Sequence, residues 1–402
     1  MKIDKAKRLT KLPPYLFAKL NKMKSRLREK RKDLIDLGVG DPDLPTPSPI
    51  IKRLSQAAEN PRNHRYPSYQ GLLSFRRAAS QWYQRRFGVR LDPEKEVLTL
   101  IGSKEGIAHI SLALINPGDI ALVPDPAYPV YGAGVIFAGG KSYLLPLRKE
   151  NHFLPCLEKI DKKVAQRAKI LFINYPNNPT GAVTTKDFFQ SIVDFAKEFN
   201  IVVCHDLAYS EISFDGYSPP SIMEIKRAKE VAIEFHSLSK TFNMTGWRIG
   251  FAVGNRAIIE TLNEVKTNID SGVFQAVQEA GIEALRMNEY AVKKTQEIYQ
   301  RRRNILSEGL ARINWQIQLP KATFYLWLKI PSRFSSLEFA ELLMERCGVI
   351  VTPGIGFGSC GEGYIRIALT VSEEKLEEAV KRIIADNLIS REFLNAKIKC
   401  KC

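Results

Sequence analysis

The order of apolar runs along the chain predicts an α/β fold: a mostly parallel sheet flanked by helices, then a smaller α+β lobe. Two observations carry this. Between residues 97 and 254, short β-rich runs alternate with helix-length segments, as they do when helical crossovers join parallel strands. Beyond residue 289 a long helical stretch leads into a few short strand-like runs and a closing helix.

The expected sheet strands are Val97–Ile101, Ile120–Val123, Ile170–Asn174, Ile201–His205, Val231–Phe235 and Ile249–Val253. Lys186–Phe199 has helix length between two of them. In the second lobe a helix is expected over Glu289–Ile313 and strands near Phe324–Ile330, Val349–Thr352 and Gly363–Leu369. The last helix should begin at Ser372. Residues 14–31 read as an N-terminal helical arm, with Tyr15, Leu16, Leu20 and Met23 at helical spacing among Lys and Arg. The resulting division is an arm over 1–47 that joins the small lobe, a large domain over 48–290 and a small domain over 291–402.

Composition narrows the class. The chain has 402 residues, is 45% hydrophobic and carries a net charge of +17. It has no low-complexity tract and no internal repeat. No apolar run approaches the roughly 18 residues of a membrane helix, so no membrane partner is expected. No apolar core follows the basic N-terminus, so no secretory signal is expected either. The basic excess lies mainly in Lys2–Lys32 and Lys397–Lys401. No nucleic-acid-binding motif accompanies it, so it reads as a solvated surface biased toward anionic ligands. The six cysteines form no C-x-x-C pair. Neither a disulfide framework nor a metal site is expected, and a reducing cytoplasm is the expected compartment.

The chemistry-bearing residues fall at the carboxyl ends of the expected strands, where ligands bind in such sheets. Ser237-Leu-Ser239-Lys240 leaves the end of Val231–Phe235. A lysine there can be partly desolvated, which lowers its pKa and leaves a nucleophilic amine. The hydroxyls beside it and Arg248 could hold a phosphate; alone, this could equally be a surface loop. Asn174-Tyr-Pro-Asn-Asn178-Pro-Thr-Gly follows another strand and by itself is a turn. Asp206 ends the strand Ile201–His205, and a partly buried carboxylate there wants a cationic partner. Gly102-Ser103-Lys104-Glu105-Gly106 reads as a turn before a helix starting at Ile107, with backbone N–H groups free for an anion.

Together, GSKEG, DPAYPVY, NNPTG, HDLAY, SLSKTFNMTGWRIG and GYIRIAL, in that order, resemble the class I and II aminotransferases, over about Pro13 to Asp386. The resemblance implies the pyridoxal-phosphate (PLP) fold type I, with a seven-stranded, mostly parallel sheet. It implies PLP carried by Lys240 as a Schiff base. Asp206 would pair with the cofactor's ring nitrogen, and Tyr209 and Asn178 would donate to its ring oxygen. Tyr128 would stack on the ring. Ser103, Lys104, Ser237, Ser239 and Arg248 would hold the phosphate, with Tyr66 reaching in from the partner subunit of a homodimer. Lys240, Asp206 and Tyr209 are thus the expected catalytic residues. For the substrate, Arg366 would grip the α-carboxylate and Gly40 would close over it, beside Tyr128 and Asn178. The resemblance also implies cis peptides before Pro126 and Pro179.

Within the class, LPPYLFAKL, GVGDPDLPTP, NHRYPSYQGLLSFRRA and VLTLIGSKEGIAHI look like the bacterial LL-diaminopimelate aminotransferases. That implies Tyr15 and Lys104 near the substrate. Plant-type members have a glutamate for the distal ammonium group where this chain has Tyr69. A broad-specificity aspartate, alanine or aromatic aminotransferase and a PLP-dependent carbon–sulfur lyase remain the alternatives.

Overall fold

The computed structural model describes residues 3–12, 33–287, 289–386, 391 and 393. Seven strands make one sheet in the order β2-β8-β7-β6-β5-β3-β4. They are β2 (Val97–Leu100), β3 (Ile120–Asp125), β4 (Lys141–Pro146), β5 (Ala168–Ile173), β6 (Val202–Asp206), β7 (Ala232–Ser237) and β8 (Gly250–Gly254); β1 (Ile35–Asp36) lies elsewhere. Strand β8 runs antiparallel to both its neighbours, and the other pairings are parallel.

The inner strands β5 and β7 are buried along nearly their whole length; β5 shows this as a near-continuous apolar run, whereas β7 also buries Glu234 and His236, paired with each other at 2.8 Å. Helices cover both faces. Phe75, Phe189 and Ile192 pack on one side, and Ile107, Ile110, Tyr131 and Val135 on the other. The helix Lys186–Phe199 shows why the sequence was readable there. Thr185 caps it by accepting the Phe188 N–H, Asn200 ends it in a left-handed turn, and Phe189, Ile192, Val193 and Ala196 form its buried stripe.

In the large unit two expectations need correction. Strand β4 was not anticipated, because this edge strand is mostly exposed and ends in a proline, which removes the apolar signal. The helix after GSKEG starts at Ser103, not Ile107. Glu105 turns back to accept the Ile101 N–H at 3.0 Å, so the turn is shorter and Ser103 and Lys104 lie in the first helical turn.

The second unit has a three-stranded antiparallel sheet, β11-β12-β9, and a short parallel pair, β1-β10. Its strands are β9 (Tyr325–Lys329), β10 (Val349–Ile350), β11 (Thr352–Pro353) and β12 (Tyr364–Ala368). The expected strand Val349–Thr352 is therefore two, one paired with β1 and the other with β12. The helices Glu289–Ala311 and Glu373–Ala385 pack over this unit. The helical arm expected over 14–31, with Tyr15, lies outside the described residues. Among those described, no helix is long and apolar enough to cross a membrane. The peptides before Pro126 and Pro179 are cis, as is the one before Pro176.

Candidate active site

The carboxyl ends of β5, β6 and β7 and the face of β12 meet at a cavity of about 580 Å³. It is lined by Gly40, Ser103, Lys104, Tyr128, Asn178, Asp206, Tyr209, Ser237, Ser239, Lys240, Arg248 and Arg366, so distant motifs converge there. Tyr66 does not line it: the side chain is 87% exposed.

Lys240 sits in the single helical turn Leu238–Thr241 that follows β7. Its Nζ donates to the Gly40 carbonyl at 3.0 Å. Burial lowers its pKa to about 8, with Arg366 and Arg248 adding to the effect and Asp41 opposing it. Gly40 must be glycine, because a β-carbon there would collide with the Tyr325 ring.

Asp206 is the last residue of β6 and is 7% exposed. Its Oδ2 accepts the Tyr131 hydroxyl at 2.8 Å, while Oδ1 is buried without a hydrogen-bond partner. Burial pushes the carboxyl upward in pKa, against the Tyr131 bond. Tyr209 faces the Tyr325 hydroxyl at 3.2 Å, and burial raises its phenol well above the usual range.

Arg366 on β12 is held on several sides. Nη1 donates to Asn178 Oδ1 and Nη2 to the Gly38 carbonyl, both at 2.8 Å. Its guanidinium lies 4.1 Å from the Tyr325 ring centre and 4.7 Å from that of Phe357, contacts that favour a planar cation. Since Arg366 occupies the Asn178 side-chain oxygen, that amide's NH₂ is the group left to donate into the cavity.

Two lining residues, Tyr325 and Phe357, and one residue behind the lining, Tyr131, which bonds Asp206, are not marked by the sequence reading. Tyr131 stands three residues after Tyr128 in DPAYPVY, so the motif itself carried the signal. Tyr325 and Phe357 reach the cavity from separate elements of the second unit, and no local pattern marks them.

These residues fit PLP. Lys104, Lys240, Arg248 and Arg366 line the cavity against one carboxylate, Asp206, a balance that suits a phosphate and a substrate carboxylate. Ser103 and Lys104 place the free N–H groups of a helix start at the cavity. Ser239 Oγ and Asp206 Oδ1 are buried and unpartnered, as expected of groups that bond a cofactor.

Comparison with known proteins agrees. The family model for aminotransferase class I and II matches residues 32–383. The LL-diaminopimelate aminotransferase of Syntrophobacter fumaroxidans is 57% identical over 383 residues, 95% of this chain and 99% of that one. That of Aquifex aeolicus is 56% identical over 376 residues, 94% and 97% of the two chains. Among solved structures, substrate-bound BacF from Bacillus subtilis superposes with a TM-score of 0.92 at 41% identity, covering 95% and 97%. An aspartate aminotransferase mutant from Thermus thermophilus gives 0.88 at 29% identity, covering 95% and 99%. The chain belongs to the class I and II aminotransferases, and pyridoxal phosphate is its cofactor.

Proposed function

We propose that this enzyme moves the amino group of glutamate to tetrahydrodipicolinate, giving LL-2,6-diaminopimelate and 2-oxoglutarate, a step of lysine biosynthesis. The observation that carries the reading is the near-full-length identity, 51–57%, to LL-diaminopimelate aminotransferases from several organisms.

When bound, PLP supplies a carbonyl carbon that takes the amino group and a ring that accepts the electron pair left at the substrate Cα. The protein does the rest. Lys240 Nζ, with its lowered pKa, takes the Cα proton and returns it. Asp206, with Oδ1 buried and unpartnered, would pair with the ring nitrogen, and Tyr209 and the Asn178 amide would hold the ring oxygen. Tyr128 covers the ring face. The first turn from Ser103 and Lys104, with Ser237, Ser239 and Arg248, holds the phosphate. Arg366 orients the substrate through its α-carboxylate, and Gly40 and Lys104 border the substrate space.

Each site is proposed to need both subunits of a homodimer. A Cβ at Gly272 would lie 3.1 Å from Pro67, so the 66–69 and 269–274 segments adjoin. Together they expose Tyr66, Tyr69, Ile269 and Phe274, an apolar surface of the kind that marks an interface. The partner subunit's Tyr66 would complete the phosphate site. A cytoplasmic location is proposed on the same footing, with Cys156, Cys204 and Cys360 as thiols.

One observation favours the broad-specificity reading. Among the described residues lining the cavity, Asp206 is the only carboxylate, and the outer wall is apolar, with Leu12, Ala133 and Phe137. A distal ammonium group therefore needs a carboxylate from outside this lining. A panel of LL- and meso-diaminopimelate, aspartate, alanine and phenylalanine, each with 2-oxoglutarate, decides between them. Preferred turnover of LL-diaminopimelate supports the proposal, and preferred turnover of aspartate or phenylalanine replaces it. Release of pyruvate and ammonia from a sulfur amino acid would make the enzyme a lyase.

A further inference from the structure

The segment that carries Tyr128 and the loop that carries Phe357 belong to different sheets, yet they meet at one buried carboxylate. Asp125 ends β3 and is 2% exposed. Its Oδ2 accepts the Ser359 hydroxyl at 2.7 Å, and its Oδ1 accepts the Cys360 N–H at 3.1 Å. Beside it, the Ala127 N–H donates to the Phe357 carbonyl at 2.8 Å. Gly358 lets the loop come this close: its φ is +132°, and a β-carbon there would collide with the carboxylate. On the other side, the Leu147 N–H donates to the Asp125 carbonyl at 2.7 Å, which ties the junction to the strand-order end of the large sheet.

We propose that Asp125 is a positioning residue for the reaction: it fixes the bed of Arg366 relative to the ring of Tyr128. Phe357 is the link. It is 5% exposed, lies under the Arg366 guanidinium and packs edge-on against Trp327 at 6.0 Å. If the 357–360 loop drifts from β3, the floor under Arg366 drifts with it, while Tyr128 stays with the large sheet. The distance between cofactor ring and substrate carboxylate is then no longer set. Displacement of about 1 Å between reacting groups is enough to cost rate and binding. Asp206, Ser237, Ser239 and Lys240 lie on β6, β7 and the turn after it, and Ser103 on the helix after β2, away from this junction, so cofactor loading is untouched. The inference rests on the proposed roles of Arg366 and Tyr128.

The test uses the full-length, PLP-loaded enzyme and two readouts: the KM and kcat for glutamate, and the dissociation constant of succinate. Succinate has carboxylates but no amino or keto group, so it reports carboxylate binding without turnover. Asp125→Ala should raise the glutamate KM and the succinate constant about tenfold, with kcat changed less and the absorbance of bound PLP unchanged. Asp125→Asn keeps a carbonyl to accept the Cys360 N–H, and the Ser359 hydroxyl can turn to accept from the new amide, so it should recover most of that loss. Ser359→Ala removes a single bond from a half-buried loop. It should give a smaller change of the same kind, and it serves if Asp125→Ala does not fold. Arg366→Lys is the control. If it weakens succinate and the Asp125 and Ser359 variants do not, the positioning role is overturned while the Arg366 reading stands. If Arg366→Lys leaves succinate binding unchanged, the Arg366 reading fails and takes this inference with it.

Discussion

The two ends of the cavity are built differently. At the cofactor end, Asp206 Oδ1 and Ser239 Oγ are buried without partners, and Lys240 is a largely desolvated amine. At the carboxylate end, Arg366 is already hydrogen-bonded through both terminal nitrogens and stacked between two aromatic rings. The first end is open and completed by the group it binds. The second is oriented in advance, and a substrate carboxylate adds to bonds already made. Substitutions at the two ends should therefore fail in different ways.

The largest effect belongs to Lys240→Ala. No other lining lysine sits beside the Gly40 carbonyl, so removal of the amine should lower turnover about 10⁴-fold. The absorbance of lysine-linked PLP should vanish, while PLP still binds through its phosphate. Turnover near the parent level would break the comparison at its open end.

At the pre-oriented end, Arg366→Lys should act on binding. Lysine cannot reproduce the planar fork that spans Asn178 and Gly38. With charge-assisted bonds worth about 1.5–3 kcal/mol each, the KM for glutamate should rise about 10²-fold. The lysine-linked absorbance should stay. Loss of that absorbance would mean that the two ends are not separable.

The pH dependence of cofactor attachment sharpens the open end further. The neutral amine of Lys240 is the form that reacts, and burial lowers its pKa from 10.5 to about 8. In the cofactor-free protein, the rate of PLP recombination should climb about 50-fold between pH 6 and pH 8, then level off. An exposed lysine would keep accelerating toward pH 10.5. The same depression carries a stability sign. Between pH 8 and 10.5 the unfolded chain binds the proton and the folded chain does not, so stability of the cofactor-free protein rises with pH across that window.

The same contrast explains what the sequence could tell. The cofactor end was legible because its groups sit in short contiguous runs at strand ends: Ser237 to Lys240 after β7, Asp206 to Tyr209 after β6, Asn178 after β5. Strand burial made those runs apolar and the motifs easy to place. At the carboxylate end the partners of Arg366 lie 188 and 328 residues away in the chain. Tyr325 and Phe357 meet it only through tertiary packing, which no local periodicity encodes. Arg366 itself came from the family resemblance, not from its surroundings. Strand β4 was lost for a related reason: as an exposed edge, it has no apolar pattern to read.

Tyr131 tests the comparison at its smallest expected effect, because it belongs to the open end yet acts there through one hydroxyl bond to Asp206. Its ring stacks on Phe172 at 5.2 Å, and Tyr131→Phe should keep that packing while removing the hydroxyl. Burial, then the neighbouring Asp206 charge, holds the phenol pKa well above its usual value, so Tyr131 stays a neutral donor at working pH. Without it Asp206 loses the Tyr131 hydrogen bond, and burial, opposed then only by His205, the Ala208 backbone N–H and His236, drives the carboxyl further toward its neutral form. A neutral carboxyl pairs poorly with a protonated ring nitrogen. At about 1–3 kcal/mol for one buried acceptor left unsatisfied, kcat should fall about tenfold, and the acid limb of the pH profile should move to higher pH. A cofactor analogue with carbon in place of the ring nitrogen separates this from loosened packing. Bound to that analogue, Tyr131→Phe and the parent should have equal affinity and equal residual activity, because Asp206 then has no ring proton to hold. A deficit that persists with the analogue would assign Tyr131 to packing alone.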